Sequence, residues 1–271
     1  LSQKIQEKLL NSFEMKPFPE NISKLMELVR DPEVDSKAVA KLIESDPAMV
    51  ARVLRMVNSP MMGSAHTISR IDQSIAFLGL NRIKSLAYVH AAAAVMSAVP
   101  GSSRDLQEIW RHSLACAVAA RTLGIKWKLA NVDEAFLAGV FHDFGKFFFF
   151  QVASEFYPDL YQNYFGVELL EQETRLMGIN HQEAGSRLAL FWNMPESVRV
   201  AISFHHQPAK AIAHEQLTLI VYLADYLVRA WGIGTPPPAT PLPSPQNGLD
   251  EINLEDFEPL RIAIKAEYDQ M

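Results

Sequence analysis

Residues 138–150 read AGVFHDFGKFFFF. His142 and Asp143 stand side by side in an apolar run, Gly145 and Lys146 follow, and Phe147 to Phe150 complete the stretch. Neighbouring side chains on a helix point about 100° apart, so both can face one centre only if it lies between them near a turn. A His–Asp pair set into an apolar wall needs partners, because unpaired buried charge is costly. Two explanations are open for the dipeptide alone. Asp143 caps a helix end while His142 is satisfied by a carbonyl, or the pair belongs to a site.

Working outward, five of the eight histidines occupy helical positions in the second half: His112, His142, His181, His205 and His206. Asp225 sits within the apolar helix expected over Leu217–Trp231, where both helix propensity and desolvation disfavour it. Glu108 precedes His112 by four residues and shares its helix face. Imidazole and carboxylate suit Fe, Mn, Zn or Ni, and no set of thiolates competes. Helical bundles build such sites by projecting ligands inward from facing helices. Each residue also has a plainer reading. His112 could be a satisfied core or cap residue, His181 a first-turn residue behind an Asn180 cap, and His205-His206 a helix C-terminus complementing the dipole. His66, His90 and His214 read as structural or surface residues.

The rest of the chain reads as helices. Asp46-Pro47 is a helix start, with Asp as N-cap and Pro in the first turn. Ser69 to Asp72 reads as a capping box closed downstream by Gly79, and Ser102 with Asp105 as a second one. A helix is expected over Arg104–Leu123 with a turn at Gly124, followed by Asn131–Phe150 as one central element. Short or amphipathic helices are expected over Leu1–Phe13, Val34–Glu44, Asn81–Val99, Phe156–Tyr164, Val167–Met177, His181–Phe191 and Ile252–Met271. Val99–Ser103 is the expected domain boundary. The Pro-rich segment Gly232–Gly248 excludes helix and central strand and reads as a surface loop. No stretch alternates like a strand. The fold class expected is all-α, with two packed helical subdomains over 1–100 and 101–232, and 233–271 returning a last helix to the bundle.

The 271 residues suffice for one large or two modest domains. The net charge of −6 argues against broad nucleic-acid binding. Residues 1–98 carry 12 Lys/Arg against 10 Asp/Glu, and the remainder 13 against 21, so the acidic balance accompanies the histidines. Cys116 is the single cysteine, reads as a buried inert thiol and fits a reducing compartment. Leu1–Leu10 does not read as a secretion signal, and Ala87–Ala98 is too short to span a bilayer. A cytoplasmic location without membrane contact is expected.

Long ordered stretches carry a resemblance. FPENISKLMELVRDPEVD (18–35), ESDPAMVARVLRMVNSP (44–60) and ISRIDQSIAFLGL (68–80) are followed by RHSLACAVA (111–119), FLAGVFHDFGK (136–146), HQEAGSRLALFWNMPESVRVAISFHHQP (181–208) and VYLADYL (221–227). Over about residues 15–227 the chain resembles the HDOD branch of the HD superfamily of metal-dependent phosphohydrolases. The resemblance implies an HD-like bundle in the second half, with His112, His142, Asp143 and Asp225 as core ligands of a divalent metal. By likeness to the HD-GYP phosphodiesterases it implies further ligands at His181, His205, His206 and, for a third ion, Glu108. It favours iron or manganese, in a mono- or binuclear centre, with Asp143 bridging and Lys146 contacting a substrate phosphate. After His206 the chain reads Gln207-Pro208, not the acidic, Gly-rich continuation of cyclic-di-GMP hydrolases, which counts against that substrate. Two functions stay open: a regulatory signalling module binding a partner protein or nucleotide, or a phosphohydrolase acting on a nucleotide or phosphodiester.

Overall fold

The computed structural model describes residues 20–28, 34–58, 66–97, 104–233 and 257–269. Among them every regular element is helical. The chain divides into two compact units, one over residues 16–98 and one built from residue 99 to 268.

In the first unit, α1 (Glu20–Leu28), α2 (Ser36–Glu44), α3 (Pro47–Val57), α4 (Ile71–Leu78) and α5 (Leu80–Ser97) pack around a common apolar centre. Val39 and Ile43 on α2, and Met49, Val53 and Val57 on α3, recur every four residues and are all buried. One stripe per helix therefore faces inward. Asp46 caps α3 as its side chain accepts from the N–H groups of Ala48 and Met49. Its other carboxylate oxygen lies 2.9 Å from Nε2 of buried His90, a structural pairing.

The capping box expected at Ser69 is not formed. Arg70 is the residue before α4, and its guanidinium grips Asp72 at 2.9 and 2.6 Å, so that carboxylate is spent on a side chain. Gly79 does close the helix, at φ 80°.

The second unit holds α6 (Arg104–Lys126), α7 (Val132–Phe141), α8 (Phe144–Val152), α9 (Tyr157–Asn163), α10 (Gly166–Met177), α11 (His181–Phe191), α12 (Glu196–Phe204), α13 (Glu215–Ala230) and α14 (Glu258–Tyr268). A single 3-10 turn, Pro208–Lys210, precedes α13. Helix α6 lies against α7, α13 and α14, while α11 packs on α8 and α12. The small residue Ala117 lets α7 approach closely at Gly139. A Cβ on Gly139 would come within 2.6 Å of the Ala117 Cα.

Two expectations are corrected in this unit. Helix α6 runs through Gly124 to Lys126, because the turn is taken by Lys128 at φ 56° and Gly124 sits in ordinary contact with α7. The expected central element over 131–150 is two helices, interrupted at His142-Asp143. His142 Nδ1 donates to the Gly139 carbonyl at 2.8 Å, while the Lys146 N–H bonds back to the Asp143 carbonyl and opens α8. The aromatic run then anchors α8. Phe144 packs on Phe141 and Trp192, and Phe149 and Phe150 on Tyr157. The segments expected at Leu1–Phe13, Val99–Ser103 and Gly232–Gly248 lie essentially outside the described residues.

Candidate metal centre

The break between α7 and α8 turns His142 and Asp143 toward the same interior point. His112 comes from the middle of α6, His181 from the first turn of α11, and His205 and His206 from the turn that ends α12. Asp225 comes from the middle of α13. The structure places their side chains in two groups, each with ligand atoms within 4.8 Å of one another. One group is Asp143, His181, His205 and His206. The other is His112, Cys116, His142 and Asp225. Glu108 is in neither; its carboxylate pairs with Arg104 at 2.8 Å.

Asp143 sits at the junction. Its Oδ1 lies 3.5 Å from Nε2 of both His181 and His205, and its Oδ2 lies 3.4 Å from His142 Nε2. Lys146, one turn on, bonds Oδ2 at 2.7 Å and is itself buried. Asp225 Oδ1 lies 2.8 Å from His112 Nε2, and its Oδ2 lies 3.7 Å from His206 Nδ1.

Several rings are fixed from behind. His142 and His205 each donate Nδ1–H to the carbonyl three residues earlier, Gly139 and Ile202. In the neutral ring this leaves the Nε2 lone pair facing the centre. His181 pairs through Nδ1 with Glu173 at 2.7 Å. Turned to satisfy its hydrogen bonds, the Gln182 amide oxygen accepts from the N–H groups of His205 and His206, holding the histidine turn against α11. These contacts aim the rings but do not use their inner faces. His142 Nε2, Asp143 Oδ1, His181 Nε2, His205 Nε2 and His206 Nε2 are buried and make no hydrogen bond. Buried polar atoms are ordinarily paired. Four of the five, on Asp143, His181, His205 and His206, belong to one group and fit a cation in both geometry and donor chemistry.

Electrostatics agree with that chemistry. Burial pushes Asp143 up, but Lys146 and then His142 outweigh it and hold the carboxyl well below the usual range. Asp225 is held low against the same burial by Arg229 and His112. Burial, then Arg229, lowers His112 to about 4. Burial foremost also lowers His181, His205 and His206, keeping them neutral and able to ligate. His142 is raised, because Asp143 and Asp225 outweigh its burial. The donor set is thus two ionised carboxylates and mostly neutral imidazoles.

Four contributors were not legible as site residues. Arg229 reaches Asp225 Oδ1 at 3.2 Å and His112 Nε2 at 3.4 Å; its i+4 spacing from Asp225 is the one signal available. Glu173 is a fully buried carboxylate in an otherwise charged amphipathic helix, with no pattern to mark it. Gln182 is concealed likewise. Cys116, read as an inert core thiol, is buried as expected, yet its Sγ lies 3.4 Å from His112 Nε2. Burial pushes that thiol well up. Among the described residues no helix is long and apolar enough to cross a membrane.

The sequence matches the family described as the HDOD domain over residues 15–208. An uncharacterised protein of Treponema pallidum (strain Nichols) is 25% identical over 222 residues, covering 78% of this chain and 42% of that protein. The chain therefore spans less than half the length of that curated relative. An HDOD domain protein of unknown function from Geobacter sulfurreducens superposes with a TM-score of 0.77 at 22% identity, covering 99% of this chain and 97% of the other. A phosphohydrolase candidate from Shewanella amazonensis SB2B superposes at 0.71 and 22% identity, covering 98% of both chains. A candidate signal transduction protein from Marinobacter aquaeolei VT8 superposes at 0.67 and 21% identity, over 97% of this chain and 61% of the other. At these identities the likeness is one of fold.

Proposed function

Because the chain belongs to the HDOD domain family, we propose that it is a signal-transduction module whose helical bundle holds a divalent metal ion in the buried His/Asp centre. The five unpartnered donor atoms at His142, Asp143, His181, His205 and His206 carry this reading. Asp143, His181, His205 and His206 would hold an ion on one side, and His112, His142 and Asp225 on the other. An ion there would supply concentrated positive charge for binding phosphoryl oxygens.

The regulatory assignment rests on how enclosed the centre is. The ligand side chains are between 0% and 8% exposed. Lys146 is engaged by Asp143, and Arg229 by Asp225. Both protein cations beside the centre thus already neutralise carboxylates, which favours an ion that stabilises and shapes the module. The solved signal transduction candidate of the same fold is in keeping with that role. The ligand of the module would be a partner protein or a nucleotide, met in the cytoplasm.

A second reading, a phosphohydrolase acting on a nucleotide or phosphodiester, is favoured by the position of Lys146. Its Nζ stands 2.7 Å from the Asp143 carboxylate, where it could turn to a phosphate. The phosphohydrolase candidate from Shewanella amazonensis SB2B points the same way. Metal analysis with a panel of phosphoesters separates the two. Metal lost in both Asp143→Ala and His205→Ala, with no ester hydrolysed by the parent protein, supports the signalling module. Metal-dependent turnover that vanishes in both variants establishes the hydrolase instead.

A further inference from the structure

The two donor groups are not equally ready for an ion. In the group of Asp143, His181, His205 and His206, Asp143 Oδ1 and the Nε2 atoms of all three histidines lack any hydrogen-bond partner. In the group of His112, Cys116, His142 and Asp225, His142 Nε2 is likewise unpartnered, but His112 Nε2 and Asp225 Oδ1 already lie 2.8 Å apart and are bonded to each other. The Arg229 guanidinium rests on the same two atoms, with Nη2 3.2 Å from Asp225 Oδ1 and 3.4 Å from His112 Nε2. That nitrogen also lies 3.9 Å from Asp143 Oδ2.

We infer that Arg229 serves as a built-in cation in the second metal position, so that this chain loads one ion, on Asp143, His181, His205 and His206, and admits a second only when Arg229 leaves. The inference rests on the metal-binding reading above and concerns how the centre is filled.

A metal ligated at about 2.0–2.2 Å by His112 and Asp225 needs Nε2 and Oδ1, atoms that now bond each other while the guanidinium donates to the same Oδ1. It would also meet a fixed positive charge at close range in a buried setting, where repulsion is weakly screened. Charge balance points the same way. Asp143 and Asp225 are already matched by Lys146 and Arg229. A first divalent ion leaves the centre with two excess positive charges, and a second would leave four, with little water to solvate them. Arg229 is the most exposed of these groups: its side chain is 24% exposed, against 2% for Asp143 and 8% for Asp225. Loading of the second position is thereby coupled to whatever draws this guanidinium outward.

The test is Mn2+ titration of chelator-stripped full chain, reading ions per chain by elemental analysis and the type of centre by electron paramagnetic resonance. Wild type is expected to take one Mn2+ with a mononuclear signal. Arg229→Gln should take two, with a spin-coupled signal, and Arg229→Lys should stay at one. His112→Ala should still take one, which keeps the inference testable if Arg229→Gln fails to fold. Two ions in wild type, one in folded Arg229→Gln, or none in His112→Ala would overturn the inference while leaving metal binding intact. No ion in any form would overturn the metal-binding reading itself, and this inference with it.

Discussion

Glu173 on α10 and His181 on α11 meet with no solvent between them: Oε2 lies 2.7 Å from Nδ1 and also accepts the His181 backbone N–H at 2.8 Å. The other carboxylate oxygen accepts from the Tyr157 hydroxyl at 2.6 Å. One buried carboxylate therefore holds the first N–H of α11, orients a ring and ties down α9. Glu173→Ala leaves three buried groups unpaired and is expected to cost about 3–5 kcal/mol in urea unfolding. Glu173→Gln, which keeps the shape, should cost less but weaken Mn2+ affinity about 10–100-fold in a titration, because the ring loses its orienting partner.

Acid should destabilise the metal-free protein. His112, lowered to about 4, and His181, His205 and His206, all lowered foremost by burial, stay neutral in the fold. Unfolded, each protonates near 6.5. In the window between, the unfolded chain binds more protons, so stability is full above about 6.5 and is lost as the pH falls. For His112 alone this is on the order of 3 kcal/mol. Two groups oppose it. His142 is raised, and burial lifts Glu173 to about 7, so both bind protons in the fold and add stability on acidification. The melting temperature should fall between pH 7.5 and 5.5, and fall more steeply in Glu173→Gln, which lacks one opposing group.

Two glycines hold the centre together by having no side chain. A Cβ on Gly145 would lie 2.0 Å from the His181 carbonyl oxygen, and one on Gly139 would lie 2.6 Å from the Ala117 Cα. Both obstacles are backbone and cannot rotate aside. Gly145→Ala and Gly139→Ala are each expected to cost about 3 kcal/mol, read from shifted denaturation midpoints. Gly124→Ala is the control. Its Cβ meets only ordinary contacts at 3.5 Å within a helix, so it should be neutral or stabilise by up to about 1 kcal/mol.

The first unit offers a change remote in chemistry from the centre. Asp46→Ala removes the cap of α3 and leaves buried His90 without its carboxylate. A loss of about 1–2 kcal/mol in thermal unfolding is expected, with metal content per folded chain unchanged.

Much of this was legible in the residues because caps and breakers act locally. Asn180 starts α11, Asp46-Pro47 starts α3, and Gly178 ends α10 in the left-handed conformation. The clustered residues were legible because His and Asp are conspicuous in apolar helices. The break at His142-Asp143 was obscured by continuous apolar residues on both sides; it depends on α8 docking against α11 at Gly145. The Ser69 box failed because Arg70 competed for Asp72. Glu173 and Arg229 were hidden for a common reason. A charged residue in an amphipathic helix looks solvated until tertiary packing buries it.

The most direct measurement is the elemental content of the chain purified without added metal or chelator, set beside that of an Asp143→Ala variant shown to be folded. A divalent transition metal near one equivalent in the parent, falling to trace in the variant, is the predicted result. A folded parent protein with no metal, or equal metal in both proteins, would contradict the proposal that these imidazoles and carboxylates converge to bind an ion.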